Sequence, residues 1–263
     1  MRPYLAILSA RFRMLLQYRA AALAGFGTQL FWGWIRVAIF TAFFQAGAAA
    51  QPMSLQDTVT YVWLTQAFLL LLPFRIDAEM QAMVRDGSVS YELTRPTDLY
   101  WYWYSRQMAA RVAPLLLRAG PLLLGAGLFF GMRMPASWTA LGMFLLAFAG
   151  ALVLSSAITT LMSISLLWTL AGDGLSRLLS IIAQFLSGMY IPLLLFPEWS
   201  QPLLAALPFR GLMDTPLRLY LGSLTGMDAL GAVAHQLLWT GIIVVISRAI
   251  LARGVTRLVV QGG

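Results

Sequence analysis

An all-α integral membrane protein is the fold class this sequence predicts: six transmembrane helices, an N-terminal amphipathic interfacial helix, and a short cytoplasmic helix between the second and third spans. Of 263 residues, 60% are hydrophobic and 11% charged, and mean hydropathy is +0.76, whereas a soluble domain is roughly half apolar and about a quarter charged. The apolar residues run unbroken rather than alternating at period two, which selects helices over a barrel. The charges gather in the short segments between those runs.

Residues 4–19 read as the interfacial helix, with Leu5, Leu8, Phe12, Leu15 and Leu16 on one face and Ser9, Arg13 and Gln17 on the other. The first span, 20–44, closes at the small-residue loop Gly47–Pro52. The second covers 58–74, and a hydrophilic stretch from Arg75 to Arg106 follows. The third is 107–130 and the fourth 138–168, the latter long enough to tilt. Ala171-Gly172-Asp173-Gly174 turns the chain into the fifth, 175–196. Pro197, Pro202, Pro208 and Pro216 break an outer segment, 197–228, before the sixth span, 230–252.

All 18 cationic residues are arginine. With both ends on one side, thirteen of them fall there: Arg2, Arg11, Arg13, Arg19, Arg75, Arg85, Arg95, Arg106, Arg111, Arg177, Arg248, Arg253 and Arg257. The other side holds only Arg133, Arg210 and Arg218, so the termini are expected in the cytoplasm. The opening arginines are spread through an amphipathic stretch rather than gathered before an apolar core, which is not a cleavable-signal pattern. The net charge of +8 therefore reflects topology, and no nucleic-acid partner is expected.

The sequence offers little for catalysis. It has no cysteine and one histidine, so thiol chemistry and a metal-ligand set are not expected. Without lysine there is no phosphate-binding loop of the P-loop type, and any ATP must be bound by a partner. His235 reads as a hydrogen-bonded residue near the outer end of the sixth span. No span carries a carboxylate, which argues against the alternative of a self-contained, gradient-driven transporter or channel.

Two arginines lie within spans. Placing Arg36 or Arg118 at mid-bilayer costs about 2.5–3.5 kcal/mol on the mild insertion scale, so each must face protein or water. Gly25, Gln29, Gly33 and Arg36 form one stripe of the first span, and Arg111, Pro114, Arg118, Pro121 and Gly125 one of the third. Thr159, with Ser156, Thr160 and Ser163, and Gln184, with Ser180, Ser187 and Gly188, mark milder stripes on the fourth and fifth. These stripes are either packing seams, where small residues admit close approach, or the wall of a substrate path through Gln29, Arg36, Arg118, Thr159 and Gln184. Tyr100-Trp101-Tyr102-Trp103-Tyr104 reads as a headgroup belt. Ile76, Met80, Met83 and Val84 line one face of a short helix over 76–86, which Asp86-Gly87 stops. Such a helix either docks a partner protein or lies on lipid.

The layout resembles the membrane subunit of a type-2 ABC exporter, in an uncharacterised bacterial branch. Asp86-Gly87-Ser88 through Glu92-Leu93-Thr94-Arg95-Pro96 is similar to a Gly…Leu-x-Arg-Pro segment of that branch. Ser187-Gly188 through Ile191-Pro192, then Phe196-Pro197-Glu198-Trp199, resembles its fifth span and outer segment, and Arg257 through Gly263 resembles its usual end. The resemblance implies an export permease of the bacterial inner membrane, without enzymatic activity or cofactor of its own. It implies two ATP-binding subunits carrying ATP and magnesium, and a second permease copy or paralogue. The 76–86 helix would then be the coupling helix, with Ile76, Met80, Met83, Val84, Arg85, Asp86 and Gly87 toward the ATPase, and 197–228 an outer re-entrant segment. The substrates of that branch do not carry over to this chain, and the expected cargo is an unidentified amphipathic or hydrophobic molecule.

Overall fold

The computed structural model describes residues 19–47, 52–74, 76–94, 96–169 and 173–256, with isolated positions between 6 and 14. The expected interfacial helix over 4–19 falls mostly outside the described residues; the end segment 257–263, Arg75 and Arg95 fall wholly outside them. The helices in order are α1 (Arg19–Gln45), α2 (Leu55–Ala67), α3 (Ala78–Arg85), α4 (Val89–Leu93), α5 (Leu99–Phe129), α6 (Trp138–Thr169), α7 (Asp173–Leu186), α8 (Gln201–Ala206), α9 (Asp214–Leu221) and α10 (Gly226–Val255).

Among the described residues three helices are long and apolar enough to cross a bilayer: Leu99–Phe129, Trp138–Trp168 and Gly226–Val255. At 1.5 Å per residue each extends roughly 45 Å, more than the hydrocarbon thickness. α1 has 27 residues, with Gln29 and Arg36 lowering its hydropathy. α2 has only 13, because a 3₁₀ turn at Leu69–Leu71 leads into Leu72, held extended before Pro73. The helical part of the expected second span is therefore shorter than 58–74. α7 also stops short of the expected 196, because Gly188 turns left-handed at φ +85°. Residues 187–225 then break into five short helices, the longest being α9 with eight residues.

α6 is the axis of the bundle, packed by α10, α9, α5 and α3. Its buried Ser156, Thr159, Thr160 and Ser163 each donate to a carbonyl four residues back, so they add small, satisfied surface where neighbours approach. Gln236 of α10, fully buried, donates to Ala147 O at 3.0 Å and Gly211 O at 2.7 Å. It thereby ties α10, α6 and the broken segment together.

At one end of the bundle Arg133 pairs with Asp57 at 2.6 Å, and Tyr220 donates to Arg133 O at 2.9 Å. At the other end Arg248 pairs with Asp98 at 3.2 Å. Asp98 also caps α5 by accepting from Trp101 N at 3.0 Å, which starts that helix earlier than the expected 107. This extension corrects the headgroup-belt reading of residues 100–104. Tyr100, Tyr102, Trp103 and Tyr104 are buried, and only Trp101 is exposed. Trp103 donates to the buried Glu92, and Tyr104 donates to Val153 O on α6 at 2.9 Å.

Candidate functional site

α3 begins at Asp77, whose side chain accepts from Glu79 N at 3.0 Å, an N-cap that satisfies one free donor of the first turn. The buried Arg106 of α5 reaches this turn, 3.2 Å from Asp77 and 2.7 Å from Glu79. The same guanidinium lies 3.8 Å from the buried Glu92 of α4. Glu92 also accepts from Trp103 Nε1 at 2.7 Å. One arginine thus fastens both short helices to a long one through charged contacts, which are stronger than neutral ones. Sequence reasoning counted Arg106 only as a topological charge. The signal it held was an arginine eight residues beyond the Asp98 cap, with acids at 77, 79 and 92 in one hydrophilic stretch.

The face of α3 expected to meet a partner is turned inward. Met80 is fully buried, with its sulfur accepting from Gln107 Nε2 at 3.3 Å, and Val84 is buried beside it. Ile76 and Met83 pack partly buried against the same core. The reason is geometric: four apolar residues at helical spacing find the bundle's own apolar surface directly beneath them. What α3 presents outward is Ala78, Glu79, Ala82, Arg85 and Asp86, with the exposed Tyr91 of α4 beyond. Gly87, at φ +77°, ends the helix, and hydrogen bonds from Ser88 hold the Asp86 carboxyl below its ordinary value.

Gln29, Arg36 and Gln184 come together around a cavity of about 330 Å³ between α1, α2 and the end of α7. Arg36 donates to Thr65 Oγ1 at 3.0 Å and to the carbonyls of Met189 and Tyr190 at 2.5 and 2.9 Å. Those carbonyls follow the Gly188 break and lack helical donors, which in lipid costs several kcal/mol per group. Gln184 accepts from the Tyr190 hydroxyl at 2.6 Å. Gln29 is 3% exposed, and neither atom of its amide has a partner.

Arg118 and Thr159 lie elsewhere. The Arg118 guanidinium packs over Gly25 of α1, where a side chain would displace it. Thr159 is buried in the α5–α6 seam, accepting from Arg111, which also donates to Ser155 Oγ at 2.9 Å and Gln107 O at 2.8 Å. His235 stands at the α10 end near Ala206 O, 3.3 Å away, and accepts from Trp239 Nε1 at 3.1 Å.

The broken segment is held by Asp214, which sequence reasoning passed over. Its backbone donates to Ser187 O at 3.0 Å. Its carboxylate accepts from the Tyr61 hydroxyl at 3.3 Å and lies 3.6 Å from Arg218. Burial pushes the carboxyl above its ordinary value, with Arg218 opposing. The Tyr61 hydroxyl also sits where a side chain at position 188 would project, so glycine is required there twice over, by φ and by space.

No metal-binding group of three or more His, Cys, Asp or Glu occurs among the described residues. No curated protein matches the chain. A family model described as ABC-2 family transporter protein matches residues 30–262.

Proposed function

We propose, from the premise that the chain belongs to the ABC-2 transporter family and is a multi-pass membrane permease, that it is the membrane subunit of an ATP-driven exporter. In this reading two ATP-binding subunits carry ATP and magnesium, and a second permease copy or paralogue completes the complex. Six spans cross the bacterial inner membrane with both termini in the cytoplasm, as the arginine bias requires. The 197–228 segment caps the outer side.

The observation that carries the reading is the anchoring of α3. A short helix at the arginine-rich end is locked by Arg106 to a helix about 45 Å long. Force applied to its outward face passes into the bundle rather than into a loose loop. The coupling surface is then Ala82, Arg85 and Asp86, with Met80 and Val84 transmitting through the core. Gln29, Arg36 and Gln184 line the path, whereas Arg118 and Thr159 hold helices together. Purification of the chain from its native membrane, with assay of co-purifying ATP hydrolysis, tests the reading; absence of any ATP-binding subunit would refute it.

A further inference from the structure

We propose that the cleft between α1, α2 and the broken end of α7 binds a single-chain anionic amphiphile, its acidic head at Arg36 and Gln29 and its tail along α1. The proposal rests on the permease reading and names the substrate class of that path. Two cavities adjoin there and share Trp32, Arg36 and Tyr190. The smaller, about 330 Å³, has Gln29, Gln66 and Gln184 in its wall. The larger, about 510 Å³, is bounded by Ile35, Ile39, Phe40, Phe43, Ile191 and Leu195. Both volumes fall in the range of small-molecule sites, roughly 300–1,000 Å³. The smaller cavity has three amide side chains in its wall and the larger has none, which places a head at one end and a tail at the other.

Charge decides the sign of the head. Every hydrogen-bond acceptor of Arg36 is neutral: one hydroxyl and two backbone carbonyls. Among the described residues no carboxylate lines either cavity or pairs with this guanidinium. A guanidinium has about five N–H donors; three serve those acceptors, which leaves two for a ligand. The Gln29 amide, buried without a partner, offers a further donor beside the same cavity, and leaving it unsatisfied is costly. A carboxylate or phosphate head accepts from both residues and supplies the missing negative charge. A cationic head meets repulsion instead.

Tryptophan quenching in nanodiscs of neutral phosphatidylcholine tests this with the purified chain. The probes are 9,10-dibromostearate, the corresponding dibromo alcohol and a dibromoalkyl trimethylammonium, compared at equal bilayer concentration. The signal of the site is the part lost in Trp32→Phe, since Trp32 borders both cavities. The carboxylate is expected to saturate that signal at about one-tenth the concentration of the alcohol, the scale of one charge-assisted hydrogen bond, and the cation not to saturate it. Arg36→Gln should abolish the preference. Gln29→Glu, which keeps the Arg36 bonds to Met189 and Tyr190, should abolish it as well, so a folding defect of the first variant does not decide the matter. Equal saturation by acid and alcohol overturns the proposal, as does absence of any Trp32-dependent signal, the result expected if a second copy covers the cleft. Quenching by brominated phosphatidylglycerol that stearate fails to displace makes the occupant a bilayer lipid and overturns it too. None of these outcomes depends on ATPase capture, so the proposal and the permease reading fail separately.

Discussion

Glu79 Oε2 lies 2.7 Å from a guanidinium nitrogen of Arg106, joining the first turn of α3 to the body of α5. Asp77 and Glu92 share the same cation, so three carboxylates from two short helices depend on one side chain. Glu92, like Arg106, is 4% exposed, while Glu79 is 60% exposed. Asp77, 16% exposed and 3.2 Å away, and Glu92 therefore outweigh Glu79, because exposed pairs contribute about 0–1 kcal/mol.

Arg106→Gln should destabilise the chain by about 3 kcal/mol, the scale for removing one partner of a buried ion pair. Thermal unfolding of the purified protein in nanodiscs checks this. Arg106→Lys should recover part of the loss, because a point charge replaces the fork that reaches both helices.

Met80→Ala should behave as a core truncation, with a loss of about 2–5 kcal/mol, since Met80 is fully buried. Ala82→Arg should leave the unfolding temperature nearly unchanged while weakening capture of the ATP-binding subunit. A pull-down measured beside the melting curve separates the two effects. Equal loss of partner with equal loss of stability in both variants would show that α3 has no separate outward role.

The apolar stripe of α3 was legible in the sequence, but not its direction. Periodicity at Ile76, Met80, Met83 and Val84 defines a face and leaves open what covers it, and that depends on the long helices beneath. Helix existence followed from apolar runs, and α6 matches the expected fourth span to within a residue. The ends of α2 and α7 did not follow, because Pro73 and Gly188 interrupt stretches that stay apolar on either side. Gly188 carried a motif without a reason until Tyr61 and Asp214 met it from distant positions. Of the five residues expected on a path, Gln29, Arg36 and Gln184 converge, whereas Arg118 and Thr159 lie in helix seams.

Gly188→Ala should cost at least about 1–2 kcal/mol from the left-handed backbone alone, with further loss where the new methyl meets the Tyr61 hydroxyl. Tyr61→Phe should relieve part of the second contribution in the double variant. A thermal-melt cycle of the four proteins reads this coupling.

Asp214 gives a pH signature. Its carboxyl is raised in the folded chain above the ordinary value of 3.8 by burial, so the folded state holds its proton to higher pH than the unfolded state does. Its contribution to stability is present at low pH and declines as pH rises from about 4 through the raised value. The melting temperature of the wild type minus that of Asp214→Asn should therefore fall over that interval. A flat difference would show that Asp214 stays fully ionised in the fold.

Topology has its own test, made simple by the absence of cysteine. Single cysteines at the exposed Ser137 and Glu198 should react with an impermeant thiol reagent in intact cells, and one at the exposed Tyr91 should react only after permeabilisation. Labelling of Tyr91→Cys in intact cells would invert the proposed orientation.

ATP hydrolysis by the native complex reconstituted in lipid tests whether hydrolysis on a partner drives this permease through α3. The wild-type chain is expected to capture an ATP-binding subunit and support hydrolysis. Ala82→Arg should lower that hydrolysis at least about tenfold, the loss of roughly 1.4 kcal/mol of coupling, with the permease still folded. Full hydrolysis by the Ala82→Arg complex, or transport by the wild-type chain with no ATP-binding subunit bound, would contradict coupling through α3.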